Sequence, residues 1–453
     1  MPESDAGREP TFQRQPALAG HVQPERISED GMIQSETTDI LNYSFADFYK
    51  NENPDVLAPP ENFKEWVRHP RVQAALKFTE QELLGPPTVE TEIESGVDGK
   101  RRKIINLTSY NYLGLSTHPE VLEAAREALY TYGLGASGAP MLSGTFDLHV
   151  EFARRMAEFK QKDACLLYSS GLGGNYGAIQ GILRSGDAFI LDEKSHRSLV
   201  DGGTLSGAKM LFFRHNNIES LEHRLKMAKD RRKLVAVEGV YSMDGDLVDL
   251  PAVVEVCKQY DAEIYIDEAH STLMFGDHGR GVAEHFGLED EVGISYGTFS
   301  KSFGGVGGFV CSNERIINYM KRYSSPWTFS CSPSPPIVAG LMKALEVATR
   351  DNSLREKLWA NVEYLRTGLE SLNLDLGDSQ SQVIPIIIGP SGEKLLKYAA
   401  ELQKRGLFLQ PVDFPAVPAN ARRFRISVST QLTKDLMDRV LNIVEDVIVR
   451  ENY

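Results

Sequence analysis

The chain has few cysteines, no long apolar run and fewer basic than acidic side chains. Its four cysteines, Cys165, Cys257, Cys311 and Cys331, lie far apart and lack the paired spacing of a zinc site or a redox motif. We interpret them as buried thiols and expect no metal. No run of about eighteen apolar residues is present, and the N-terminus lacks the apolar core of a signal peptide. A folded cytoplasmic protein without a transmembrane segment is therefore expected.

The charge balance excludes a general nucleic-acid-binding protein. Lys and Arg number 49 against 63 Asp and Glu, a formal net charge of −14. Binding to phosphate backbones needs extended clusters of basic side chains, whereas the sequence has short basic stretches such as KDRRK at 229–233. We interpret that stretch as a solvated loop before a strand, with a basic docking patch as the alternative.

The length of 453 residues exceeds one ordinary core, and 42% hydrophobic content is typical of a folded protein. We predict a partly flexible N-terminal extension over residues 1–104, a large α/β domain over 105–345 and a small C-terminal α+β domain over 346–453. Residues 1 to about 60 are polar and are expected to be mobile or wrapped over a partner. A helical pattern follows in ENFKEWVRHPRVQAALKFTEQELLG, and ESGVDGKRRK then predicts a hairpin or loop.

Short apolar runs predict a covered, mostly parallel sheet in the large domain. The runs are ACLLY, AFILD, KMLFF, KLVAVEG, AEIYID, GISYG and GGFVCS, and they alternate with helical or turn-rich stretches. After Pro336 the pattern predicts a long helix through about Leu372. The strand QVIPIIIG, the helix EKLLKYAAELQKRG, the strand RFRISVS and an amphipathic helix from Lys434 complete the small domain.

Polar residues follow several of the predicted strands, where open α/β sheets bind ligands. SSGLGGN, at 169–175, places small residues at a strand-to-helix turn, whose backbone N–H groups favour an anion. Close packing of strand and helix is the alternative explanation. Asp267 ends an apolar strand, and a buried carboxylate needs a cationic or hydrogen-bonding partner. The alternative is an Asp that caps the following turn.

Lys301 is the only charged residue between Glu291 and Glu314, in the stretch YGTFSKSFGGVGGFV. A surface turn with a solvated lysine is one explanation. The other is an amine that forms a Schiff base, because burial lowers the pKa of a lysine and frees it to attack an aldehyde. An anion site, a strand-end Asp and this lysine are the anchors for phosphate, pyridine nitrogen and aldehyde that pyridoxal phosphate requires.

These segments resemble the α-oxoamine synthases, a family of fold-type-I pyridoxal phosphate enzymes. The similar motifs are LTSYNYLGLSTHPEV, YSSGLGGN, LDEKSHRSL, FRHNNIESLEHRL, EGVYSMDGDLVDLP, IDEAHSTLMFGDHGRGVAEHFG and GTFSKSFGGVGGFV, spread over roughly residues 104–450. Within the family, SYNYLG, HNNIESLE, RGVAEHFGLEDE and FPAVP are similar to segments of the serine palmitoyltransferase catalytic subunit. The resemblance implies a fold-type-I transferase with an N-terminal arm and a homodimer whose sites are built from both chains.

The resemblance also implies roles for single residues. Lys301 would bind the cofactor as a Schiff base and move the Cα proton, and His196 would stack on the ring. Asp267 would keep the pyridine nitrogen protonated, and His270 would hydrogen-bond the ring oxygen. Further cofactor-binding residues are implied at Gly171, Leu172, Glu238, Ser242, Thr298, Ser300 and Ser332.

The implied reaction joins an amino acid to an acyl thioester with loss of the thiol and of carbon dioxide, giving an α-amino ketone. Arg425 would bind the amino acid carboxylate, and Tyr110 with Asn111 would line the same pocket from the neighbouring subunit. Serine is the favoured amino acid, with alanine and glycine as alternatives. The acyl donor would be acyl-coenzyme A or, alternatively, an acyl carrier protein.

The sequence departs from the family pattern at three positions. Pro140 stands where many members have an arginine, Leu432 stands at a usual histidine position, and Cys331 replaces a frequent threonine near the phosphate of the partner subunit, where Ser332 would substitute for it. Because of these departures, the resemblance does not determine which amino acid and which acyl donor are used. A non-catalytic partner subunit and an ordinary aminotransferase are the other classes considered. Retention of Lys301 disfavours the first, and motifs beyond the generic cofactor residues disfavour the second.

Overall fold

The computed structural model describes residues 45–48, 51–79 and 81–450. The flexibility expected for the N-terminal segment therefore falls mostly outside the described residues. The helices are α1 Glu61–Arg68, α2 Pro70–Thr79, α3 Pro119–Tyr132, α4 Asp147–Phe159, α5 Gly171–Ile182, α6 Arg197–Ser206, α7 Ile218–Met227, α8 Leu250–Gln259, α9 Val282–His285, α10 Glu314–Tyr323, α11 Ser325–Thr328, α12 Pro335–Thr349, α13 Ser353–Ser371, α14 Gly392–Lys404 and α15 Lys434–Val444. The strands are β1 Glu90–Glu94, β2 Arg101–Asn106, β3 Ala164–Tyr168, β4 Ala188–Asp192, β5 Lys209–Phe213, β6 Lys233–Glu238, β7 Glu263–Asp267, β8 Ile294–Thr298, β9 Gly308–Ser312, β10 Val383–Gly389, β11 Leu407–Phe408, β12 Gln410–Val412 and β13 Arg422–Ser427.

The seven apolar runs predicted as strands form one central sheet. Its strand order is β3-β9-β8-β7-β6-β4-β5. Strands β5, β4, β6, β7 and β8 pair in parallel, and β9 is antiparallel to both β8 and β3. Strands β4, β8 and β9 are buried along their whole length, as expected for a sheet covered on both faces. The predicted α/β fold with a mostly parallel sheet is confirmed.

Two smaller sheets join distant parts of the chain. The hairpin β1–β2 extends through parallel pairing of β2 with β11, so residues before 105 pack with the C-terminal part. Strands β10, β13 and β12 form the other sheet, with β13 in the middle. The predicted elements of the C-terminal part are all present. The segment ESGVDGKRRK forms a hairpin, which was one of its two predicted structures, a hairpin or a loop. The division into three domains stays a prediction.

The structure corrects the two long helices and one cysteine. The first helical segment divides at His69, which is extended because Pro70 follows it. The stretch after Pro336 divides between α12 and α13, where Asp351 Oδ1 accepts a hydrogen bond of 2.9 Å from the Ser353 N–H. Cys331 is exposed, whereas the other three cysteines are buried as predicted. Among the described helices, none is both long and apolar enough to cross a bilayer.

Candidate active site

All the predicted cofactor residues except Ser332 meet in one cavity of about 310 Å³ at the carboxyl edge of the central sheet. Parallel strands end at the same edge, so the loops after β3, β4, β6, β7 and β8 are brought together there. The predicted residues that line the cavity are Gly171, Leu172, His196, Glu238, Ser242, Asp267, His270, Thr298, Ser300 and Lys301.

Lys301 lies in a tight turn between β8 and β9. Its carbonyl accepts a hydrogen bond of 2.9 Å from Gly304 N–H, and Gly304 has a φ of +73°. A Cβ at Gly304 would lie 2.3 Å from the backbone nitrogen of Ser116, so the turn requires glycine there. Burial lowers the pKa of Lys301 to about 8, although the charges of Asp267 and Glu238 oppose the shift. The amine is therefore neutral more often near physiological pH than that of an ordinary lysine.

Asp267 ends β7 with its carboxylate buried in the cavity wall. Its Oδ2 accepts from Asn175 Nδ2 at 2.9 Å, and its Oδ1 accepts from Ala269 N–H at 2.9 Å. The side chain thus caps the following turn and also faces the cavity. Burial raises its pKa, with Lys301 and Asn175 opposing the rise. Within the described part of the chain no basic side chain forms an ion pair with this carboxylate, which leaves it able to meet a cationic ligand group.

The N-terminus of α5 lies where the anion site is predicted. Ser170 caps the helix by accepting a hydrogen bond of 3.0 Å from Gly173 N–H. A Cβ at Gly171 would lie 2.6 Å from Thr298 Oγ1, so glycine permits the close approach of this turn to β8. The Thr298 and Ser300 hydroxyls lie 2.6 Å apart beside the turn. The Thr298 hydroxyl donates to the Gly307 carbonyl at 2.9 Å, so the backbone N–H groups at the helix N-terminus and the Ser300 hydroxyl are the suitable donors for a phosphate.

Glu238 and His270 are two further buried residues of the cavity lining. Glu238 accepts a hydrogen bond from the His196 backbone N–H, and burial with the nearby Asp267 charge raises its pKa well above the usual range. His270 Nδ1 lies 2.8 Å from Tyr112 OH, and burial lowers the pKa of His270 well below its usual value. His270 is therefore a neutral imidazole whose ring is oriented by Tyr112.

Arg425 and Tyr110 lie beside Lys301, as predicted for a carboxylate site. The Arg425 guanidinium carbon is 4.9 Å from the centroid of the Tyr110 ring, and Lys301 Nζ is 5.8 Å from the same centroid. Arg425 also donates to Tyr110 OH and to the Ser242 carbonyl at 3.4 Å. Tyr110 contacts Arg425 of its own chain, and its contribution to the pocket of a neighbouring subunit stays a prediction.

Asn111 and Ser332 lie away from the cavity lining. Asn111 Nδ2 donates to Ser116 Oγ at 2.7 Å, so its amide supports the loop that packs against Gly304. Ser332 Oγ is buried and, within the described residues, has no hydrogen-bond partner. A Cβ on Gly144 would lie 2.8 Å from this hydroxyl. The role of Ser332 at the phosphate of a partner subunit stays a prediction.

Sequence reasoning missed Asn175, Ser198 and Tyr112, each of which contacts a predicted site residue. Asn175 donates to Asp267, Ser198 Oγ lies 2.7 Å from His196 Nδ1, and Tyr112 contacts His270. All three stand inside motifs already singled out, and that position was the available signal. Their partners are remote in sequence, and the pattern alone does not identify them.

The residues present fit pyridoxal phosphate. A partly desolvated amine, a buried carboxylate and a helix N-terminus with hydroxyls match its aldehyde, its pyridine nitrogen and its phosphate in turn. They line a single cavity, although they come from three separate segments of the chain, at the ends of β3, β7 and β8.

Comparisons with known proteins agree with this chemistry. The family model for aminotransferase class I and II matches residues 102–444. The 8-amino-7-oxononanoate synthase of Thermoanaerobacter pseudethanolicus is 38% identical over 353 residues, covering 78% of this chain and 89% of the relative. The serine palmitoyltransferase of Sphingobacterium spiritivorum is 37% identical over 357 residues, covering 79% of this chain and 89% of the relative.

Solved structures of serine palmitoyltransferases share the fold. The enzyme from Sphingomonas wittichii superposes with a TM-score of 0.78 at 33% identity, covering 82% of this chain and 92% of that one. A variant from S. paucimobilis with bound PLP and myriocin has a TM-score of 0.76 at 35% identity, covering 81% of this chain and 91% of that one. Pyridoxal phosphate is the cofactor of this chain. The chain belongs to the α-oxoamine synthase family of pyridoxal phosphate-dependent C-acyltransferases.

Proposed function

We propose that the chain condenses a small amino acid, with serine favoured, and a long-chain acyl thioester to give an α-amino ketone. The observation that carries the proposal is the position of Arg425, whose guanidinium lies over Tyr110 within reach of the lysine turn. A fixed cation beside a reactive amine is suited to an amino acid, because the carboxylate binds the guanidinium while the Cα group faces Lys301.

Each protein group has a distinct part in the proposed reaction. Bound pyridoxal phosphate supplies an electron sink for negative charge developed at the amino acid Cα. Lys301 accepts the Cα proton, a task suited to an amine with a lowered pKa. Asp267, held by Asn175 and by Ala269 N–H, provides the negative charge that keeps the pyridine nitrogen protonated. Arg425 orients the carboxylate and so restricts rotation of the substrate.

The overall chemistry balances without an added oxidant or reductant. The Cα–H bond breaks and its proton goes to Lys301, and the bond between Cα and the acyl carbon forms as the acyl C–S bond breaks. The thiolate leaving group takes a proton from solvent, and the carboxylate leaves as carbon dioxide. The Cα atom then regains a proton, for which protonated Lys301 is the nearest donor among the groups assigned above. Serine and a long acyl chain are favoured because serine palmitoyltransferases occur both among the similar sequences and among the similar structures.

A carrier-protein donor is the second candidate. A relative with 38% identity is an 8-amino-7-oxononanoate synthase, so similarity alone supports more than one acyl donor. The departures at Pro140 and Leu432 from the common family pattern also favour a changed substrate. Leu432 is buried in the core, however, so its effect on a substrate would be indirect.

We also propose that the working form is a homodimer. Leu142 and Phe329 are 85% and 84% exposed, and the apolar residues Leu172 and Val306 line the cavity while remaining half exposed. The segments that carry Leu142 and Phe329 are connected through the hydrogen bond of 3.0 Å from Ser332 N–H to the Gly138 carbonyl. A second copy of the chain covering this apolar surface would close the cavity and bring Ser332 toward the partner's phosphate site.

Mass spectrometry of products tests the proposed function. The purified holoenzyme is given an equimolar mixture of serine, alanine and glycine with acyl-coenzyme A, and separately with the same acyl group on a carrier protein. An α-amino ketone that contains serine and a long acyl chain from coenzyme A supports the main proposal. Product from the carrier protein alone establishes the second candidate. Transfer of the amino group to a keto acid without consumption of thioester contradicts both.

A further inference from the structure

A buried amide connects the two sides of the cofactor cavity. Asn175 is 1% exposed and lies on α5, below the anion site. Its Nδ2 donates to Asp267 Oδ2 at 2.9 Å and to Ser198 Oγ at 2.8 Å, and its Oδ1 accepts from the Tyr265 hydroxyl. All the hydrogen-bonding capacity of the amide nitrogen is therefore used inside the protein.

The orientation of this amide is determined by the acceptor on one side of it. An ionised carboxylate only accepts hydrogen bonds, so the nitrogen of Asn175 faces Asp267. Its oxygen then faces Tyr265, whose hydroxyl is available as a donor. The second N–H of the same nitrogen points at Ser198 Oγ, which consequently acts as an acceptor there.

The Ser198 hydroxyl connects the Asn175 amide to the imidazole ring of His196. Its Oγ lies 2.7 Å from His196 Nδ1, and the backbone N–H of Ser198 donates to the same nitrogen at 3.3 Å. With Asn175 donating to Oγ, the serine hydrogen is free to point toward Nδ1. The Ser198 hydroxyl and the Ser198 backbone N–H then both donate to His196 Nδ1. A proton on Nδ1 would point at the hydrogen of the Ser198 N–H, which disfavours the tautomer that is protonated at Nδ1.

We propose that Asn175 and Ser198 are positioning residues that hold His196 as the neutral imidazole with its proton on Nε2, and that Asn175 also fixes the orientation of Asp267. The inference rests on the proposed roles of His196 and Asp267 at the cofactor, but it does not depend on which substrates are used. His196 lines the cavity, so its free nitrogen presents a donor to a bound molecule and does not serve as a base. Proton acceptance is thereby left to Lys301.

The electrostatic surroundings of His196 agree with a neutral ring. Burial lowers its pKa, and the charge of Lys301 acts in the same direction, whereas the Asp267 and Asp201 charges oppose the shift. Glu238 accepts a hydrogen bond from the backbone N–H of His196 and not from its imidazole ring.

Nitrogen NMR of the cofactor-free chain, with ¹⁵N-labelled histidine, tests the tautomer directly. The His196 resonances are assigned by their loss in His196→Gln. We expect an unprotonated Nδ1 and a protonated Nε2 in the wild type. Ser198→Ala should introduce a detectable population of the other tautomer or of the charged ring, and Ser198→Thr, which keeps the hydroxyl, should restore the wild-type pattern. A protonated Nδ1 in the wild type, or an unchanged spectrum in Ser198→Ala, overturns the proposal.

A matched pair of tyrosine variants tests the amide. Tyr265→Phe removes the donor to Asn175 Oδ1, whereas Tyr168→Phe removes a buried hydroxyl that contacts Ser324 Oγ at 3.0 Å. Only Tyr265→Phe should alter the His196 resonances, and equal spectra for the two variants contradict the proposal.

The affinity for the cofactor tests the second half of the inference. Asn175→Ala should raise the dissociation constant of pyridoxal phosphate by about tenfold, because a hydrogen bond to a charged group is lost. Unchanged affinity overturns the role of Asn175 toward Asp267. Because both measurements use no amino acid or thioester, a failure of the proposed reaction leaves them interpretable.

Discussion

The guanidinium of Arg425 lies over the ring of Tyr110, 4.9 Å from its centroid, although the two residues are 315 positions apart in the chain. The contact joins β13 to the loop after β2. Lys301 Nζ lies 5.8 Å from the centroid of the same Tyr110 ring. The small sheet near the C-terminus therefore places a cation at the same aromatic ring as Lys301, which lines the cavity built by the large sheet. A substrate carboxylate held there would place its Cα near the lysine.

Arg425→Ala should raise the KM for the amino acid about 10- to 100-fold, because a charge-assisted hydrogen bond to the carboxylate is lost. Arg425→Lys keeps the positive charge but loses the paired geometry, so its effect should be intermediate. Steady-state kinetics with the amino acid varied measures both variants. The KM for the acyl thioester serves as the internal control and should stay within about twofold. An unaltered amino acid KM would remove Arg425 from the carboxylate site.

Lys301→Ala should abolish turnover and the visible absorbance of lysine-bound pyridoxal phosphate together, because no other amine lines the described cavity. Absorbance spectra before and after dialysis, with an activity assay on the same samples, measure both properties. Lys258→Ala is a matched control, since Lys258 is exposed on α8 and forms an ion pair with Glu291. Full turnover by Lys301→Ala would refute the assignment.

The capture of pyridoxal phosphate by the cofactor-free protein should accelerate as pH rises, with a midpoint near pH 8. The amine attacks only in its neutral form, and burial lowers the pKa of Lys301 to about 8. Stopped-flow absorbance from pH 6.5 to 9.5 measures the rate. An exposed lysine would instead give a midpoint near about pH 10.4. A rate that still rises without a plateau at pH 9.5 would show that Lys301 is solvated.

His215 should make folding stability depend on pH above neutrality. Burial opposes its charged form, but hydrogen bonds to Asp192 and Asp246 outweigh burial and raise its pKa to about 9. The folded pKa is above the usual value of 6.5, so the stabilisation is complete below about pH 6.5 and is lost as pH rises through 9. Solvent screening of this partly exposed group reduces the contribution to the free energy of unfolding to about 1 to 2 kcal/mol.

Denaturant unfolding of wild type and His215→Gln at pH 6 and pH 9.5 measures this contribution. The variant should be less stable at pH 6, because two buried carboxylates lose their shared cation, and the difference from wild type should shrink by pH 9.5. His223→Gln, on the exposed face of α7, is the control and should show no such trend. A constant difference across the range would contradict the ion-pair role of His215.

Phe329→Glu combined with Leu142→Glu should convert a dimer to monomers and strongly reduce turnover. The substitutions place charges on the exposed apolar surface that we propose is covered by a second copy. Light scattering coupled to size exclusion measures the mass. Met227→Glu, on an exposed apolar residue of α7, is the control. A wild-type mass equal to one chain would contradict the homodimer.

Several residues of the candidate site were predictable because covered α/β sheets place ligand sites at the strand ends. Asp267 ends an apolar strand, and Lys301 is an isolated charge after another, so both stand out in the linear pattern. Tyr112 shows no such signal. It looks like one more aromatic residue of an apolar stretch until His270 is found beside it, 158 positions away.

The helix boundaries show a similar limit. The sequence pattern predicts one helix through about Leu372, whereas α12 ends at Thr349 and α13 begins at Ser353, with a local hydrogen bond between Asp351 and Ser353 at the break. The exposure of Cys331 likewise depends on how the loop before α12 packs.

The sequence by itself determined the alternation of strands and helices, the strand-end polar residues and the family, because these depend on periodicity and on residues close together in the chain. Only the tertiary structure decided that Tyr110 meets Arg425 of its own chain and that Asn175 connects Asp267 to Ser198 and His196. Such contacts depend on which loops the sheet order brings to one edge. The directions of the hydrogen bonds follow from those neighbours, and so does the protonation of His196.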